Sequence, residues 1–213
     1  MTYQIRQIQI ASSKIINELK SLIDQAFSFN YNLDTNNQPL ANRTEFMSKN
    51  ELSNMIKKGE MFELIDFDVK NEFLMVKTSH KIIGCVSLTL DYESKTLHIG
   101  LLAIHENYRN KGLGKQIMNF AENMAKTDDS INFIELVIFY HKDCSATKLS
   151  YGMYERLGYE PYKMSTLCNS EYLKERLEHV LREKKEFRNF EPDHAIKAIF
   201  KYDYEIKFMK KII

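Results

Sequence analysis

The stretch Arg109-Asn110-Lys111-Gly112-Leu113-Gly114 carries the most chemistry per residue in this chain. It follows a strand-like run, Leu97–Ile104, and opens directly into a helical pattern in which Leu113, Ile117, Phe120, Ala121 and Met124 share one face. A helix N-terminus presents backbone N–H groups without partners and the positive end of the helix dipole, so it attracts phosphate. Gly112 and Gly114 are expected to let the backbone approach a ligand closely and to adopt conformations barred to other residues. Arg109, Lys111 and Lys115 add positive charge around the same concavity. The expected product is a pyrophosphate cradle.

The glycine spacing excludes two familiar phosphate loops. A dinucleotide fingerprint needs a third glycine three residues after Gly114, where Ile117 stands. A P-loop needs Ser or Thr after its lysine, but Gln116 follows Lys115. What remains is R-x-x-G-x-G after a strand. Together with the preceding LAIHENY, this resembles the acetyl-CoA motif of the GCN5-related N-acetyltransferase (GNAT) family, with Glu106 where proline is common. The resemblance spans the chain apart from the polar loop at 28–43 and the segment around 169–190. The closing DYEIKFMKK resembles the family's last strand.

That resemblance implies an α/β (α+β) fold. Its core is a mixed, largely antiparallel twisted sheet flanked by helices, with a V-shaped splay between strands 4 and 5 that follows a β-bulge. The region near 169–187 becomes a helical insertion, and residues 1–213 form a single domain. The activity implied is N-acetyl transfer from acetyl-CoA to a primary amine by direct transfer in a ternary complex. Carried over residue by residue, the backbone of Leu102, Ala103 and Ile104 pairs with the pantetheine and polarises the thioester. The amides of Arg109, Asn110, Lys111, Gly112, Leu113 and Gly114, with Lys115, bind the pyrophosphate. Thr147 stands where many members carry an asparagine that contacts the coenzyme. SYGMYERLGYE resembles the family's helix in which a tyrosine precedes E-x-x-G-[FY], and this makes Tyr154 the general acid.

A base is needed to neutralise the acceptor ammonium. His98 lies on the strand before the cradle, at the offset where several family members place a glutamate or histidine. Regular strand alternation puts His98, Gly100, Leu102 and Ile104 on one face, and an imidazole titrates near neutrality. His105 faces the other way unless a bulge intervenes. His141 is a weaker candidate, and Cys144 is read as a spare thiol. The competing reading is a catalytically silent acyl-CoA-binding regulatory or interaction module.

The rest of the chain must position these residues. Tyr3–Ile10 reads as a strand, and Ile15, Ile16, Leu19, Leu22, Ile23 and Ala26 form one face of a following helix. A polar loop runs from Phe27 to about Asn42, and a short helix from Thr44 to Lys58 stops at Gly59. Phe73–Thr78 and Ile82–Asp91 read as a hairpin. Phe133–Phe139 is apolar enough for burial on both faces. A helix follows from Ser145 to Leu157, ended by Gly158. A charged helix starts near Asn169, and strands return at Ala195–Tyr202 and Tyr204–Met209.

Composition narrows the class. With 44% hydrophobic and 28% charged residues the chain is globular, and a net charge of +1 leaves no electrostatic footprint for nucleic acid. Three cysteines without a C-x-x-C pair point away from a disulfide framework or a metal site and toward a cytoplasmic setting. No apolar run approaches a membrane span. The expected partners are acetyl-CoA and an amine acceptor, a small molecule or a peptide amine, with the chain a monomer or homodimer.

Overall fold

The computed structural model describes residues 2–31, 47–67, 81–140, 142, 145–166 and 205–213. In chain order the elements are β1 (Thr2–Gln7), α1 (Ser13–Tyr31), α2 (Lys49–Lys57), β2 (Met61–Phe67), β3 (Lys81–Asp91) and β4 (Thr96–Ile104). They continue with α3 (Leu113–Lys126), β5 (Phe133–Tyr140), α4 (Ser145–Arg156), β6 (Glu160–Thr166) and β7 (Glu205–Ile212). The strands hydrogen-bond in the order β1-β2-β3-β4-β5-β7-β6. The registered pairs are antiparallel except for β4 and β5, which run parallel. This is the mixed, largely antiparallel sheet that the resemblance implies.

The chain clusters into two compact units. The first holds β1 to β4, α1 to Phe27, α2, α3, β5 to Leu136 and the last two residues. In it α1 and α2 cover the sheet because their apolar stripes meet its inward residues. Leu19, Leu22, Ile23, Leu52 and Ile56 pack in one buried cluster with Met61, Cys85, Leu101 and Ala103. Each such aliphatic side chain, fully buried, contributes about 1.5–3 kcal/mol. Helix α2 is punctuated at both ends. Ser48 and Glu51 form a reciprocal capping box, and at the other end Gly59 takes φ 75° while Glu60 N donates to Met55 O.

The second unit holds β5 from Val137, α4, β6 and β7 to Lys211. Helix α4 ends as expected at Gly158, with φ 83°. Gly158 N donates to Glu155 O and Tyr159 N to Tyr154 O, the paired bonds that close a helix with a left-handed residue. Lys211 Nζ donates to Leu157 O at 2.7 Å and satisfies another terminal carbonyl. β6 and β7 pair antiparallel from Glu160↔Lys210 to Thr166↔Glu205.

Several sequence expectations need correction. β1 ends at Gln7 rather than Ile10, and α1 continues to Tyr31 through residues assigned to the polar loop. β3 pairs with β2 on one side and β4 on the other, so its hairpin partner is Met61–Phe67. Phe73–Thr78 lies outside the described residues, as do the helix near 169–187 and the strand at Ala195–Tyr202. β5 is buried on one face only: Ile134, Leu136 and Ile138 are inside, while the alternate residues are half-buried.

Candidate functional site

Strand β4 carries the site in the first unit, and its geometry is set by one irregularity. Its register with β3 runs Ser87↔Gly100, then jumps to Cys85↔Ala103. Leu101 and Leu102 therefore stand opposite the single residue Val86. Leu101 has φ 47°, in the left-handed region, which is how an extra residue is accommodated. The buried thiol of Cys85 donates to the Leu101 carbonyl at 3.6 Å and ties down the displaced peptide. Burial pushes that thiol up to about 12, so it stays protonated. On the other edge, β4 pairs with β5 only from Thr96↔Phe133 to Ile99↔Leu136, while β4 itself continues to Ile104.

The bulge overturns the expected face assignment. Ser87 and Cys85 are two apart on β3 and share a face, so Gly100 and Ala103 share it too, although three residues separate them. His98 and Gly100 thus belong with Ala103, and Leu102 and Ile104 turn to the opposite side. An unbroken alternation cannot express this.

At the end of β4 the chain makes a 3-10 turn, Glu106–Tyr108, then reaches the cradle. Arg109 Nε reaches back to the Ile104 carbonyl at 3.1 Å and joins turn to strand. Tyr108 fixes the turn from outside. Its hydroxyl donates to Asp66 Oδ2 at 3.2 Å, and its ring lies edge-on to Tyr3 and His105. Burial first, and then the hydrogen bond to Asp66, raises the Tyr108 phenol. Lys111 Nζ sits 4.9 Å from the centre of that ring.

Asn110 and Gly112 take φ 59° and 75°. No atom lies within 4 Å of where a Gly112 Cβ would be, so backbone conformation rather than space demands the glycine. Gly112 is the N-cap of α3 and provides no side-chain cap. The first ladder bond runs from Gln116 N to Gly112 O at 3.0 Å. The amides of Leu113, Gly114 and Lys115 precede that ladder and are left for an anion. Gly114 itself is helical and not among the glycines with positive φ, so only its missing side chain matters.

His98 is paired with Thr89 on β3 and with Glu135 on β5. Its side chain is 42% exposed, and Nε2 lies 3.8 Å from Asp91 Oδ2. The Asp91 carboxyl is held below its ordinary value chiefly by the Ser94 hydroxyl, then by the amides of Ser94 and Glu93, with a smaller contribution from His98. An anionic carboxylate beside an accessible imidazole is an arrangement suited to accepting a proton. The sequence offered a signal for this neighbourhood: Ser87, Thr89 and Asp91 alternate with Val86, Leu88 and Leu90. His105 has become the N-cap of the 3-10 turn, with Nδ1 accepting from Asn107 N at 3.3 Å. His141 and Cys144 lie outside the described residues.

In the second unit, α4 carries Tyr154 and Thr147. The Tyr154 ring packs edge-on against Tyr159 at 6.2 Å. Burial of the phenol pushes it up to about 12, and its hydroxyl has no hydrogen-bond partner among the described residues. A phenol so placed keeps its proton at neutral pH. Thr147 is 2% exposed, one helical face of α4 being turned inward there. One turn before Tyr154, Tyr151 joins Tyr140 around Lys207 Nζ, at 4.3 and 4.0 Å from the two ring centres. Sequence reading missed this cluster because its members come from three separate elements. Among the described residues no group of three or more His, Cys, Asp or Glu is placed to hold a metal, and no helix is long and apolar enough to cross a membrane.

Solved structures share the fold of this chain. The crystal structure of the NatC complex bound to Gag peptide and CoA superposes with a TM-score of 0.60 at 14% identity, covering 100% of this chain and 99% of that one. Ard1 from Thermoplasma volcanium gives 0.59 at 11% identity, with 100% and 99% covered. Spermidine N-acetyltransferase from Vibrio cholerae, in complex with CoA and spermine, gives 0.58 at 13% identity, with 99% and 95% covered. No curated protein matches the chain. The model of the acetyltransferase (GNAT) family matches residues 40–159, more than half of the sequence. The chain belongs to the GNAT acetyltransferase family.

Proposed function

We propose that this chain transfers the acetyl group of acetyl-CoA to a primary amine, directly and within a ternary complex. The observation that carries the reading is the start of α3. Three uncapped amides follow a left-handed Gly112, in the turn that leads from a bulged strand into α3, in a chain of this family. Structures with the same fold hold CoA, and one of them holds CoA with spermine.

Acetyl-CoA supplies the activated acetyl thioester; the chain supplies position and protons. The amides of Leu113, Gly114 and Lys115 receive the pyrophosphate, and Arg109, Asn110, Lys111 and Gly112 shape the turn around it. The backbone of Leu102, Ala103 and Ile104 aligns the pantetheine arm and polarises the carbonyl that becomes the oxyanion. The Ile104 carbonyl already accepts from Arg109, so the strand's bonds to pantetheine fall first on Leu102. Thr147 adds a buried hydroxyl from α4. His98, held beside Asp91, takes the proton that makes the acceptor nitrogen nucleophilic. Tyr154 gives its proton to the departing sulfur, which suits a phenol that burial keeps neutral.

Replacing Tyr154 with Phe tests the assignment. The substitution removes one oxygen and leaves the ring packing, so kcat should fall about 10²-fold, as loss of a general acid does. The acetyl-CoA Kd, read by calorimetry, should stay at the wild-type value. Unchanged turnover would remove Tyr154 from the mechanism.

A further inference from the structure

Ser87 is 4% exposed, and its hydroxyl makes no hydrogen bond among the described residues. A buried hydroxyl left without a partner costs about 1–3 kcal/mol, so native structures almost always supply one, often a water. The position of this hydroxyl is equally specific. Ser87 faces Gly100 across β3 and β4, and a Cβ on Gly100 would meet Ser87 Oγ at 2.7 Å and no other atom within 4 Å. Gly100 therefore leaves open the space that the hydroxyl occupies, immediately before the bulge. Ser87 also lies on His98's face, two cross-strand pairs from Thr89↔His98 and next to it on that face.

We propose that Ser87 is a positioning residue for the proton path: its hydroxyl holds the water that links the acceptor ammonium to His98. The inference rests on the proposed acetyl transfer and on His98 as its base. In the step, an N–H bond of the ammonium breaks and its proton passes to the water. The water gives one of its protons to the neutral imidazole, leaving a neutral amine and an imidazolium. Ser87 exchanges no proton in net terms; it orients the water, with Gly100 giving it room.

Two arms test this, and they separate its failure from that of the underlying reading. The first is a high-resolution crystal structure of the full chain with CoA. It should show an ordered water or a ligand atom within hydrogen-bond distance of Ser87 Oγ, absent in Ser87→Ala. A Ser87 hydroxyl bonded to a protein carbonyl would overturn the proposal. The second arm is kinetic, with spermidine and a short peptide amine as acceptor probes. Ser87→Ala should lower kcat about tenfold while the acetyl-CoA Kd is unchanged. Gly100→Ala, which drives a methyl into the hydroxyl, should be slow as well, and the Ser87→Ala/Gly100→Ala double variant should remain slow. If Ser87 only packs, Ser87→Ala will turn over at the wild-type rate and will restore Gly100→Ala, and the proposal falls. Wild-type chain that binds no CoA would instead remove the acetyl-transfer reading beneath it.

Discussion

At the scale of single residues, the groups given chemical roles divide by how their environment treats charge. Cys85 and Tyr154 are held neutral by burial, each pushed up to about 12 from reference values of 9.0 and 10.0. Asp91 is held ionised, mainly by Ser94. The neutral pair carries a consequence for stability. Their folded values lie above the unfolded ones, so their contribution is complete below about pH 9 and is lost as pH rises toward 12. Thermal midpoints measured from pH 8 upward should therefore fall above pH 9, and Cys85→Ala should fall less steeply, whatever its midpoint at neutral pH. Parallel curves for the two proteins would contradict the burial of that thiol. The family resemblance indicated Tyr154, and the resemblance together with strand alternation indicated His98. Ser87 and Asp91 show in the sequence only as polar positions of an alternating run, and their significance comes from the β3–β4 register.

Among elements, the turn from β4 into α3 was the most legible from sequence and β4 itself the least. The turn is legible because its requirements are local: a left-handed position calls for Gly112, and an uncapped helix start calls for no cap residue. Gly112→Ala meets no steric obstacle, so its whole effect is backbone strain of about 1–2 kcal/mol. Relieving that strain rotates the peptides that face the anion, and the acetyl-CoA affinity measured by calorimetry should drop roughly tenfold. Gly112→Asn should lose less, since Asn tolerates the left-handed region. Equal affinity for all three chains would show that the turn does not hold the pyrophosphate. β4 resisted reading for the opposite reason. Its bulge is fixed by Val86 having two residues opposite it and by the Cys85 thiol on the Leu101 carbonyl, both from another strand. Nothing in TLHIGLLAI marks where alternation breaks.

For the molecule as a whole, the helices were easier to foresee than the strands. α4 was read nearly to the residue because Gly158 ends it, and α3 was placed by the glycine turn that opens it and by its repeating apolar face. β2 was missed because MFELIDF carries two acids in a short run. In the fold Glu63 is buried against Arg6 Nε at 2.6 Å, and Asp66 receives the Tyr108 hydroxyl, so both charges are satisfied by partners distant in sequence. β6 was missed because Pro161 argues against a strand; as the last strand in the sheet order it tolerates a residue without an N–H. The mixed, largely antiparallel sheet and the family were foreseen through the turn motif rather than through the strands themselves; the parallel pairing of β4 with β5 comes from the structure.

Every role proposed for these residues serves acetyl transfer to a primary amine. The most direct test is release of free CoA thiol from acetyl-CoA by the purified chain, with spermidine, an amino sugar and short peptide amines offered in turn. Thiol release that requires both the chain and one of these amines, with matching acetylated product by mass spectrometry, is the result predicted. Acetyl-CoA binding without release above the uncatalysed rate for every amine would contradict the claim and leave a binding module in its place.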